Sequence, residues 1–142
     1  MTPEQTQQAA PASAEAMYTI RSEFIEAQGR SISLVIGERL CHRAVTKAGD
    51  MATIKSKSFK QLRDLARKEC SGDPEYLSPQ APVLEAAFKL LFMAPNDGLS
   101  LAALHSALSD LWMTSARPRH ISMQALARVL TQDTYYGIAQ VA

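Results

Sequence analysis

The chain has 142 residues, 46% of them apolar and 20% charged, and its formal net charge is +1. That length supports one ordinary domain or two small modules sharing a core, and the composition is normal for a folded protein. Apolar runs break at charges well before the ~20 residues a bilayer-crossing helix needs, and the N-terminus lacks the basic start and hydrophobic block of a secretory signal. A soluble cytoplasmic protein without a membrane partner is expected.

Charge is distributed unevenly. From Arg30 to Lys68 ten basic residues face only Glu38, Asp50 and Asp64, an excess of seven, whereas residues 83–142 balance four against four. Such an excess marks either a polyanion-facing surface or a solvated helix face.

Residues 1–14, rich in Gln, Ala, Thr, Pro and Ser, hold too little apolar surface to offset the entropy of ordering and predict a disordered tail. From Ala14 the spacing of Met17, Ile20, Phe24 and Ala27 predicts a helix ending at Gly29. A second helix is expected from Ser31, with Ile32, Val35, Ile36, Leu40 and Ala44 on one stripe. The β-branched run Ile32–Ile36 allows a strand instead, but the stripe continuing to Ala44 favours the helix. Residues 51–57 look irregular or extended. Ser58-Phe59-Lys60-Gln61 fits a capping box and opens a helix that buries Phe59, Leu62 and Ala66 and turns Lys60, Arg63, Arg67 and Lys68 outward. Residues 15–70 thus form a helical region with a basic face, and Gly- and Pro-bearing residues 71–82 form a linker or structured loop.

Residues 83–142 carry better-marked boundaries. Pro82 suits a first helical turn, and Leu84, Ala87, Phe88 and Leu91 make an apolar stripe. Pro95 and Gly98 end it. Ser100 caps the next helix, which turns Leu101, Leu104, Leu108, Leu111 and Trp112 inward. After the basic loop 113–120, Ser122 caps a third helix whose inward side is Leu126, Val129 and Leu130 and whose outward stripe is Gln124, Arg128 and Thr131. A short aromatic strand-like segment, 135–141, follows.

Cys41 and Cys70 stand alone in the sequence, so their spacing indicates neither a disulfide framework nor, with His42, a zinc site. The ordinary expectation is a small buried thiol beside a surface imidazole. His105 is expected to be a satisfied, partly buried histidine. No nucleophile elbow, metal triad or nucleotide fingerprint is present, and the acids and histidines are scattered where acid–base catalysis needs them convergent. The expectation is therefore a non-enzyme without metal or cofactor.

The order helix, helix, basic loop, helix, strand over residues 83–142 resembles the winged-helix superfamily. The likeness rests on element order, not on a family motif. It implies a mainly α fold: a helical N-terminal region plus a winged-helix-like C-terminal module with a minimal β element. It also implies base-edge contacts by Gln124 and Arg128 from the third helix, with Arg117, Arg119 and His120 approaching phosphates. Lys55, Lys57, Lys60, Arg63 and Arg67 are candidates to follow the phosphate backbone. Two departures stand against the pattern: the 113–120 loop exceeds a tight turn, and one strand-like segment cannot make a wing hairpin. The function expected is DNA binding by a small bacterial-type transcriptional regulator, acting as a dimer. The alternative is a non-catalytic adaptor or assembly subunit that binds protein partners through the winged helix and the amphipathic N-terminal helices.

Overall fold

Met17–Ile20, expected within a helix, is a β-strand in the computed structural model, which describes residues 13–95 and 97–141. Tyr18-Thr19-Ile20 is a run of aromatic and β-branched residues suited to a pleated surface. It alternates, with Tyr18 and Ile20 buried at 3% and 6% exposure. This strand, β1, is the middle of a three-stranded antiparallel sheet, between β2 (Leu99–Ser100) and β3 (Ile138–Gln140). Tyr18 pairs with Leu99 on one side, and Thr19 with Ala139 on the other. Most of the tail expected to be disordered, residues 1–12, lies outside the described residues. Ala14 is engaged: its carbonyl accepts from the Ala102 amide at 2.9 Å.

Eight helices complete the described residues: α1 (Ser22–Ala27), α2 (Ile32–Gly37), α3 (His42–Ala48), α4 (Met51–Lys55), α5 (Phe59–Glu69), α6 (Val83–Met93), α7 (Leu101–Met113) and α8 (Met123–Thr131). The first expected helix is thus reduced to α1. Phe24, placed on its buried stripe from sequence, is 44% exposed, and Ile25 is the buried residue instead.

The second expected helix is two, α2 and α3, separated by a turn at residues 38–41. Val35 and Ile36 of α2 and Ala44 of α3 are buried, so the apolar spacing runs on through the break. Residues 51–57, expected to be irregular, contain α4, whose start is held by the Asp50 carboxylate accepting from the Thr53 amide at 2.8 Å. The Ser58 capping box is present in full: Ser58 Oγ accepts from Gln61 N, and Gln61 Oε1 accepts from Ser58 N at 2.8 Å.

The α2–α3 break also corrects the expectation of unpaired thiols. Cys41 caps the start of α3, Cys70 closes α5, and the two form a disulfide with Cα atoms 5.5 Å apart. Both are buried.

A single apolar cluster joins residues of both parts of the chain, including Ile25, Ile36, Ile54, Leu62, Phe88, Leu91, Leu104, Leu108, Trp112 and Leu126. Burying each Leu or Ile side chain contributes about 2 kcal/mol. The C-terminal helices do not close a sheet by themselves, because its middle strand comes from residues 17–20. Segment 71–82 is a fastened loop: Tyr76 is buried, and Lys89 Nζ donates to the Tyr76 carbonyl at 2.7 Å. No helix among the described residues is long and apolar enough to cross a membrane.

Candidate nucleic-acid interface

Helix α8 packs on α7 and β3. Ser122 Oγ accepts from Ala125 N at 3.0 Å, which fixes its first turn, and Leu126, Ala127 and Leu130 are buried. Helical periodicity then leaves Gln124, Arg128 and Thr131 on the exposed side, as the sequence spacing predicts. At the far end the Asp133 carboxylate accepts from the amides of Tyr135, Tyr136 and Ile138 at 3.0–3.1 Å. This closes the turn from α8 into β3 and so sets the helix against the sheet.

The loop before α8 is held at both ends. His105 Nε2 donates to the Ile121 carbonyl at 2.6 Å, which fixes the proton on that nitrogen and ties α7 to the residue before the cap. Arg119 lies over the Trp112 ring, 4.7 Å from its centroid. Its Nη2 donates to the carbonyls of Pro79 at 3.0 Å and Ala81 at 2.7 Å. Arg117 is exposed on the same loop. Pro79, Gln80, Ser115, Ala116, Arg117 and Arg119 line an open cleft of about 440 Å³.

The N-terminal cations divide. Lys55 and Lys60 are exposed and Lys57 is half-buried. Arg63, expected to point outward, is turned in and only 7% exposed. Its guanidinium lies over Phe59 and Phe92, and its Nε donates to the Phe92 carbonyl at 3.0 Å. Its Nη1 pairs with Asp97 at 3.0 Å.

Arg67 is half-buried and donates to the Ala94 carbonyl and to Asp97. The last carbonyls of α6 lack partners inside their own helix, and these arginines supply them from α5, with charge of the sign the helix terminus favours. Burial lowers the Arg63 pKa, against the opposing pull of Asp97. Asp97 itself adopts φ +60°, and the Thr19 hydroxyl donates to its carbonyl. Asp97 went unrecognised in the sequence because it lies about thirty residues from either arginine.

The structure therefore does not gather all the expected contact residues. Helix α5 packs chiefly on α2, α3 and α6, while α8 packs on α7 and β3, so the two cationic groups belong to different neighbourhoods. Gln124 and Arg128 lie on α8, and Arg117 and Arg119 lie on the loop that leads into it. Among the described residues no group of three or more His, Cys, Asp or Glu side chains is arranged to hold a metal ion. Comparison with protein families, with curated proteins and with solved structures returns no match for this chain.

Proposed function

We propose that the protein binds duplex DNA through α8, as a small bacterial-type transcriptional regulator that acts as a homodimer in the cytoplasm. The observation that carries this is the two-sidedness of α8. Gln124 and Arg128 are exposed on one side, and the other is buried against the body of the protein. Gln can make paired hydrogen bonds to adenine and Arg to guanine in the major groove. The order α6, β2, α7, α8, β3 supports a winged-helix-like arrangement, with β1 supplying a third strand. Phosphate contacts in this proposal fall to Arg117, Arg119, Lys55, Lys57 and Lys60. Arg63 and Arg67 are left out because their guanidiniums serve α6.

Binding to random and selected duplexes across a salt series tests it. Affinity should fall steeply as salt rises. Arg128→Ala and Gln124→Ala should relax sequence choice, each costing about 1–3 kcal/mol on the preferred site. Lys60→Ala should weaken every duplex alike and reduce the salt slope by about one. Equal binding by all three variants and the wild type would end the proposal.

The adaptor alternative has its own observation: Phe24 and Leu34 are exposed on the packed neighbours α1 and α2. Exposed large apolar side chains are what a protein partner would cover. If it serves one, Phe24→Ser with Leu34→Ser abolishes partner capture while duplex affinity is unchanged.

A further inference from the structure

We propose that the cleft between Pro79–Gln80 and the α7–α8 loop is a binding site for a phosphate group. Its lining residues offer two guanidiniums, a hydroxyl and an amide and include no carboxylate. A lining that carries two positive charges and no counter-charge favours an anion. Phosphate suits the donors better than a carboxylate does, because its oxygens accept from several directions at once.

Arg119 is oriented before any ligand arrives. The Trp112 ring supports its face, and Nη2 spends its hydrogens on the carbonyls of Pro79 and Ala81. Among the described residues its Nε and Nη1 make no hydrogen bond, so they remain as donors. A donor already fixed in place loses little freedom on binding, which is the advantage of preorganisation. Arg117 has no side-chain partner among the described residues and supplies the second, movable cation.

The site lies just ahead of Ser122, the cap of α8. A backbone phosphodiester seated there would register the helix on a duplex. Only that source of the phosphate rests on the proposed duplex binding, since the cleft offers the same donors to free phosphate.

Trp112 is the sole tryptophan in the sequence and lies beneath Arg119, so its fluorescence reports the cleft directly. The full chain is titrated with inorganic phosphate and, separately, with duplex DNA. The variants are Arg117→Ala and Arg119→Lys, with Lys68→Ala as an exposed change outside the cleft. The proposal expects a saturable change in emission with phosphate. Arg117→Ala should weaken it about ten- to hundredfold, the range for a hydrogen bond to a charged group, and Lys68→Ala should leave it intact.

A duplex that produces the same change, in competition with phosphate, identifies the backbone as the source. A response to phosphate without duplex binding keeps the site, assigns it to free phosphate and removes the duplex proposal. No saturable response to phosphate in the wild type overturns the site. Duplex binding that leaves Trp112 emission unaltered and is equal in Arg117→Ala and Arg119→Lys overturns the backbone as the source of the phosphate, while duplex recognition survives.

Discussion

At Arg63 a cation is held beneath Phe59 and Phe92 and joins α5 to the end of α6. Truncating it strands the Phe92 carbonyl and leaves a gap beside two rings. Arg63→Ala should therefore cost about 2–3 kcal/mol in a urea melt, whereas Lys60→Ala, on the exposed side, should stay within about 0.5 kcal/mol. Equal midpoints for the two variants would show that Arg63 has no anchoring role. Gly137 is demanding for another reason. Its φ is +74°, and a Cβ there would lie 2.5 Å from the Arg21 carbonyl oxygen, which accepts from Phe24 N at 3.0 Å. Strain in the backbone and collision with a neighbour add, so Gly137→Ala should lower stability by about 2 kcal/mol or more. A melt that matches the wild type would contradict this.

Among the elements, α5 through α8 were legible because each carries a full apolar stripe, with a serine cap on α5, α7 and α8 and Pro82 ahead of α6. Ser58, Ser100 and Ser122 all cap as expected. Strand β1 was not, since a run of four residues offers too few alternations to outweigh the helical spacing of Met17, Ile20 and Phe24. The α2–α3 break was hidden for the opposite reason: the apolar spacing continues across it. Exposure of Gln124 and Arg128 followed from periodicity. The inward turn of Arg63 and the anchoring of Arg119 did not, because their partners are backbone carbonyls distant in sequence. Segment 71–82 likewise looked like a connector and proves to be fastened at Tyr76.

Burial raises the Tyr76 phenol well above its ordinary range. The folded state then keeps that proton while the unfolded chain releases it near pH ~10. Tyr76 therefore contributes stability that is whole below that pH and declines as the pH climbs past it. Half-buried Lys89, whose pKa desolvation lowers, acts in the opposite sense in the same range, so a variant is needed to isolate the phenol. The stability difference between Tyr76→Phe and the wild type should be flat below about pH 10 and should then move in favour of the variant. A difference that stays flat to higher pH would mean that Tyr76 ionises as freely folded as unfolded.

For the whole molecule, the Cys41–Cys70 bond encloses α3, α4 and α5 with a sequence separation of 29. Loop-closure entropy for a loop of that size corresponds to about 3.5 kcal/mol. Cys41→Ala with Cys70→Ala should lose roughly that amount, and the wild type should approach the variant when a dithiol reductant is added to the melt. A wild type indifferent to reductant would remove the bond from the stability of the fold. Such bonds are rare in reducing compartments, so thiol counting on freshly isolated protein bears directly on the proposed cytoplasmic setting.

The sheet has a further consequence, for synthesis. Ile20 of β1 must meet Ile138 of β3, yet a ribosome releases the first long before it makes the second. At ordinary elongation rates the interval is on the order of ten seconds. Until β2 is made both hydrogen-bonding edges of the central strand are vacant, and the edge that meets β3 stays vacant throughout. The nascent chain thus carries an unpaired strand edge, open to pairing with other chains, until β3 is made.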